Sequence, residues 1–436
     1  MKKGLERFHR YRWYIFSILA AQYLIVYFQR VAPAVVAQEL IDAFEISGTS
    51  LGLLASAYFY PYALTQIPVG ILSDSWGPKK TLIVFGSVAS FGAVFFGLAP
   101  RFEFAFAARA FVGLGVSAVF VSAMRIFAEW YRGIELARIS GAFMAIGGLG
   151  WFAATTPLAL LSQAFGWRMS FIVTGTVSIV FTVMTWRVVE DRPAKKGLPG
   201  LVEHAGNGIP VKRNVPGDLK VILQDRHFWS IAIWFIVRGG ALFGFFGLWA
   251  GPYLMDVYQL SKSSTGNILS MVAFAMIFLS PVIGHLSDKT LTSRKKVLVG
   301  TSILNSICWL IMLLFYKTLP VPALYVLFFL MGVTISSVGT IAIIATKELF
   351  PAEISGTSMG TMNIFPFIGG IIFQPLMGYV LDSAGKTQGM YPPSAYRMII
   401  WLLFITSLIA LVSITRSRET LKKLPGERWK VKGGRI

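Results

Sequence analysis

The chain has 436 residues, 55% hydrophobic and only 14% charged, with a mean hydropathy of +0.65. A soluble chain of this length carries about a quarter of its residues charged, so this composition excludes a soluble globular protein and indicates a polytopic membrane protein. The formal net charge of +20 does not point to nucleic acid. Its basic residues gather between apolar runs, where they set topology, and not along a groove.

Taken in chain order, twelve apolar windows of about 20 residues, the length that crosses a bilayer core, can be placed at 14–38, 50–73, 80–99, 103–128, 138–162, 168–187, 228–255, 264–287, 296–316, 321–346, 355–381 and 395–415. Before the first lies KKGLERFHRYR, and Ala32-Pro33-Ala34 imitates a signal cleavage site. The run is longer than a signal core and contains Arg30, so it reads as an uncleaved span. Residues 188–227 are polar and rich in Gly and Pro, a linker between six-span units at 1–187 and 228–415, with a short surface helix expected at 216–224. Residues 416–436 form a basic tail. With the N-terminus in the cytoplasm, 30 of the 40 Lys and Arg lie on the side of the termini, six on the other and four inside spans. That asymmetry places both termini in the cytoplasm, in the inner (cell) membrane. The single cysteine, Cys308, and four scattered histidines give no disulfide framework, metal cluster, cofactor site or enzyme constellation.

Two short stretches repeat. GILSDSWGPKK (Gly70–Lys80) follows the second window, and GHLSDKTLTSRKK (Gly284–Lys296) follows the eighth, with Asp74 and Asp288 214 residues apart. Glu135 after the fourth window and Glu353 after the tenth are 218 apart. Nearly equal offsets indicate a duplicated six-helix unit.

The first stretch resembles the loop between helices 2 and 3 of the major facilitator superfamily, G-x-L-x-D-x-x-G-x-[KR]-[KR], at Gly70, Leu72, Asp74, Gly77, Lys79 and Lys80. The second copy keeps Gly284, Leu286, Asp288, Lys295 and Lys296. This resemblance implies an all-α membrane protein of twelve transmembrane helices in two pseudo-symmetric six-helix bundles, working by alternating access as a monomer. An acid at such a helix end can accept from a neighbouring helix N-terminus and pair with bases across the two halves. Asp74, Lys79, Lys80, Glu135, Asp288 and Glu353 are therefore expected to form a latch that favours the outward-open state.

Charge inside the spans is expensive and therefore informative. Arg30, Arg109, Arg125 and Arg238 lie within windows, and no Asp or Glu lies clearly inside one. Embedded charge of one sign points to an anionic substrate. Arg109-x-x-x-Gly113-x-Gly115 resembles the family's fourth-helix motif, in which the arginine is a structural or coupling element. Arg125 is close enough to the cytoplasmic end to snorkel. Arg30 and Arg238, on helices 1 and 7, are expected to clamp one carboxylate or phosphate between the halves. Tyr62, Gln66, Asn363 and Gln374 are candidates to orient it.

Within the superfamily the resemblance is closest to the anion:cation symporter and organophosphate:phosphate antiporter group. Tyr27-Phe28-Gln29-Arg30 resembles its first-helix Y-[LF]-D-R. Residues Arg125, Trp130, Tyr131, Glu135 and Ala137 resemble its fourth helix, and Trp249 with Pro252-Tyr253-Leu254 resembles its seventh-helix W-x-P-x-Y-L, shifted by one residue. Gln29 stands where the symporters carry an aspartate and Val116 where they often carry a glutamate, which leaves either a proton or a counter-anion as the coupled species. The sequence reads as a secondary transporter of a small organic anion. An exporter of neutral or cationic compounds and a non-transporting sensor remain open alternatives.

Overall fold

A computed structural model describes residues 2–198, 215–351, 354–387 and 389–421. Ten helices in it are long and apolar enough to cross a membrane. The two remaining spans are each assembled from shorter pieces. The tenth runs through Val321–Ser337, a π-helical turn at Val338–Ala342 and Ile343–Leu349. The second is broken into Gly48–Ser56, Phe59–Leu64 and Gln66–Ser75. Both breaks follow from proline. Pro61 and Pro68 lack the N–H that would close onto residues 57 and 64, and their rings crowd the preceding turn.

The first span is a helix over Lys2–Val31, the third Pro78–Leu98 and the fourth Phe102–Trp130. The fifth begins at Gly133–Ala153 and continues from Thr156 to a sharp turn at Gly166, after which the sixth runs to Val188. It thus starts five residues earlier than the sequence window. A helix at Val215–Gln224 precedes the seventh span. That span is α-helical over Arg226–Gly239, π-helical over Gly240–Trp249 and α-helical again over Ala250–Tyr258. The eighth is Lys262–His285 with a π-helical turn at Leu286–Thr290, and the ninth Arg294–Leu314. The eleventh breaks ahead of Pro366 into Ser355–Met362 and Phe365–Ala384, and the twelfth is Pro393–Thr415.

The two halves are clasped at the end away from the termini. There Phe365–Ala384 lies against Gly48–Ser56 so closely that a Cβ on Gly52 would sit 2.5 Å from the Gln374 carbonyl oxygen and 2.5 Å from the Pro375 Cα. Asp382 of the eleventh span accepts from the Gly48 N–H (2.7 Å), the Thr49 N–H (2.7 Å) and the Thr49 hydroxyl (2.6 Å), capping the second span from the opposite half. Lys262 pairs with Glu39 and donates to the Ser162 hydroxyl at 2.8 Å, again across the halves. At the end carrying the termini the arrangement differs: Gln66–Ser75 and Ser355–Met362 each pack chiefly on helices of their own half. The molecule is closed at one end and parted at the other.

The parted end is held together within each half by matching devices. After the sixth span, Asp191 accepts the first-turn N–H of Lys79 at 2.7 Å, and Glu190 takes the Lys79 ammonium at 2.9 Å, which fixes the start of the third span. After the twelfth, Glu419 accepts the first-turn N–H of Arg294 at 2.9 Å and the Ser293 hydroxyl, fixing the start of the ninth. Burial alone raises the Glu419 pKa, but the Ser293 hydroxyl and the N–H groups of Leu421, Arg294 and Lys295 outweigh it and hold the carboxyl below its ordinary value. A depressed carboxylate contributes stability that is present above the unfolded pKa, about 4.3, and is lost as pH falls through the folded value. Glu419→Gln is therefore expected to lower stability by about 1 kcal/mol at pH 7. In thermal melts the gap to the parent should close below about pH 4; a gap that is constant with pH would contradict the cap.

Candidate functional site

Arg30, Arg109 and Arg238 are 5%, 1% and 2% exposed, and among the described residues none of them stands in an ion pair. Their surroundings separate them into different roles.

Arg109 is a strut. Pro33 has no N–H, so the Gln29 carbonyl of the first span lacks its ordinary helical partner. Arg109 of the fourth span donates to that oxygen at 2.9 Å while its guanidinium lies over the Tyr58 ring at 5.4 Å. Gly113, one turn further, allows the contact: a Cβ there would fall 1.9 Å from the Tyr58 carbonyl oxygen.

Arg238 is also occupied by backbone. Its guanidinium donates to the Thr334 carbonyl of the tenth span and lies over Trp234 at 5.4 Å. The tenth span turns π-helical at Val338, the residue whose N–H would ordinarily close onto Thr334, and such widening frees a carbonyl for an outside donor. The expected pair of facing arginines is therefore not formed. Arg238 is turned into its own half.

Arg30 meets no backbone carbonyl among the described residues; its polar neighbours are the Tyr58 and Tyr62 hydroxyls. Its Nε is buried without a hydrogen bond, and its guanidinium is ringed by Tyr27 (4.6 Å), Tyr62 (5.1 Å), Phe367 (5.2 Å), Phe243 (5.5 Å) and Tyr58 (5.8 Å). Three of these rings come from the first and second spans and two from the seventh and eleventh, so the cation sits where the halves meet. Each desolvated ring contact contributes up to about 2 kcal/mol, which offsets only part of the cost of burying the cation. The Tyr58 and Tyr62 hydroxyls also interact with the guanidinium, and a carboxylate would be gripped at its edge.

The other candidates divide. Tyr62 joins the ring, packing on Phe367 with ring centres 4.4 Å apart and planes tilted by 54°. Gln374 spans eleventh to seventh, its side-chain amide donating to the Phe243 carbonyl at 2.9 Å and its backbone carbonyl receiving the Trp249 indole N–H at 2.9 Å. Gln66 is turned onto its own helix, donating to the Tyr62 carbonyl at 3.2 Å. Asn363 is half-buried at the break in the eleventh span. Gln29 is 1% exposed, and neither atom of its side-chain amide has a partner. Arg125 is corrected from a substrate candidate: it pairs with Asp74 at the parted end, their side chains 40% and 58% exposed.

The expected latch across the halves is likewise not made in this conformation. Asp74 pairs within its half, and Asp288 pairs with Arg294, which also reaches Glu348 at 3.1 Å. Glu135 takes a two-pronged contact from Arg12 at 2.8 and 3.1 Å, Lys80 is exposed, and Glu353 lies outside the described residues. The aromatic ring was not anticipated from the sequence. Tyr58 and Tyr62 one turn apart carried a local signal, but Phe243 and Phe367 did not stand out among 35 phenylalanines.

Comparison with known proteins agrees with this architecture. The chain is 25% identical to a probable sulfoacetate transporter from Cupriavidus necator, covering 88% of this chain and 90% of that protein. It is 24% identical to a hexuronate transporter from Bacillus subtilis (86% and 89%) and 25% to a D-galactonate transporter from Escherichia coli (91% and 95%). Among solved structures, a bacterial homolog of the human lysosomal transporter Spinster superposes with a TM-score of 0.74 at 18% identity, over 93% of this chain and 96% of that one. Residues 19–289 and 241–433 match the Major Facilitator Superfamily, and with the twelve-span fold this places the chain in that superfamily of membrane transporters.

Proposed function

We propose that the protein is a secondary transporter of a small organic anion, bound at Arg30 between two six-helix halves that rock about it. One observation carries this reading: among rings of both halves lies a buried guanidinium that stands in no ion pair among the described residues and, unlike those of Arg109 and Arg238, is not taken up by a backbone carbonyl. A charge so placed is costly unless a ligand completes it. The named substrates of the relatives above, sulfoacetate, hexuronate and galactonate, are all organic acids, which supports the same class here. With 30 basic residues against six favouring cytoplasmic termini in the inner membrane, the parted end faces the cytoplasm and this conformation is inward-open. Gln29 does not titrate, so no proton is carried at that position.

A thermal-shift screen of the purified protein against monocarboxylates, dicarboxylates, sugar acids and phosphate esters tests the class. A ligand at 100 times its Kd adds about 2.7 kcal/mol, a shift of several degrees. Stabilisation by one anion class is the expected result. Stabilisation by hydrophobic cations or neutral compounds alone would reverse the reading in favour of an exporter.

A further inference from the structure

On the outer, lipid-facing side of the second half, the start of the seventh span and the end of the twelfth part to leave a groove of about 840 Å³. Its floor is closed by the Ser413 hydroxyl donating to the Ser230 carbonyl at 2.8 Å. Its walls are apolar and open to the bilayer: Ile233, Ile405, Ile409 and Val412 are 39%, 48%, 51% and 51% exposed. At the end nearest the termini the groove is rimmed by Arg226 and Arg416, both exposed, and by His227.

Among the described residues the charge on this rim is uncompensated. Neither arginine is in an ion pair among the described residues. The Arg226 Nε makes only a long contact, 3.5 Å, to the His227 ring. The adjacent acid, Asp225, is committed to capping the seventh span, accepting the N–H groups of His227 (2.6 Å) and Phe228 (3.0 Å). Arg418, two residues beyond Arg416, is turned away to the Leu349 carbonyl at 2.7 Å. A smaller cavity at the opposite end of the molecule shows the contrast: the arginine beside it, Arg168, donates to the Gly97 and Ala99 carbonyls at 3.3 and 2.6 Å.

We propose that this groove binds an anionic phospholipid, its phosphodiester held between Arg226 and Arg416 and an acyl chain laid along Ile233, Ile405, Ile409 and Val412. The complementarity is twofold. Guanidinium edges match phosphate oxygens, and an apolar channel running into the hydrocarbon region matches the chain attached to that phosphate. A soluble phosphate would use the first feature and waste the second. A zwitterionic lipid would use the second but bring its own cation to the arginines. The occupant would brace the start of the span that also carries Arg238 and Phe243.

Native mass spectrometry of the full chain in detergent, titrated with phosphatidylglycerol or with phosphatidylethanolamine of the same acyl chains, tests this. The parent is expected to retain phosphatidylglycerol at least about fivefold better. Arg226→Ala with Arg416→Ala should erase the preference, and the paired Lys variant should keep most of it. Val412→Trp, which fills the groove, should weaken retention while leaving both arginines in place. Equal retention of the two lipids, or full retention by the Ala pair, would overturn the proposal. Displacement of the lipid by glycerol phosphate at matching concentration would overturn the lipid assignment in favour of a soluble phosphate site.

Discussion

Gly52→Val is expected to abolish transport while leaving the protein folded. A Cβ at this position meets the Gln374 carbonyl and Pro375 Cα at 2.5 Å, and both are backbone atoms of the opposite half that no rotamer change can move aside. Overpacking of this kind costs about 1–3 kcal/mol where the structure can yield. Here the cheapest way to yield is for the halves to separate at the clasped end, which breaks the contacts Asp382 makes with Gly48 and Thr49. The conformational balance should therefore move toward the state open on that side. Labelling reads the shift: in a Cys308→Ser background, a cysteine at Ala34, 0% exposed with its carbonyl against Gly251, should react with an impermeant thiol reagent about tenfold faster when Gly52→Val is present. Unchanged labelling with transport intact would mean that the clasp is not what closes this end.

Arg30→Ala and Arg238→Ala should fail in opposite ways. Arg30 stands in no ion pair among the described residues, so its removal is expected to leave the melting temperature level or higher while anion affinity falls by about 3 kcal/mol, more than a hundredfold. Arg238 donates to the Thr334 carbonyl, and its loss leaves that buried oxygen one partner short. Stability should fall by about 1–3 kcal/mol, with affinity within a few-fold of the parent. Equilibrium binding and melting of both variants check this together. Equal loss of affinity without loss of stability in both would restore the two-arginine clamp.

These outcomes depend on distinctions that the sequence showed unevenly. The spans, the repeated Asp74 and Asp288 stretches and the four embedded arginines were legible because hydropathy and charge are properties of single residues. The role of Arg109 was half legible: Pro33 announces an orphaned carbonyl at Gln29, but not which helix supplies the donor. The breaks in the second span were written in Pro61 and Pro68, although its hydropathy reads as continuous. Arg238 could not be told from Arg30, since the carbonyl that occupies it lies 96 residues away in a span whose π-helical turn has no evident sequence signal. The caps that Asp191 and Glu419 place on the third and ninth spans were hidden for the same reason, as the partners are separated by 112 and 125 residues.

The central claim is that one uncompensated arginine at the meeting of the halves binds the transported anion. Counterflow in liposomes tests it most directly, with the parent, Arg30→Ala and Arg30→Lys each loaded with the anion found to stabilise the parent and given labelled anion outside. The account predicts accumulation by the parent, none by Arg30→Ala, and weak accumulation by Arg30→Lys, which keeps the charge but not the two-pronged edge. Parent-level accumulation by Arg30→Ala would contradict it.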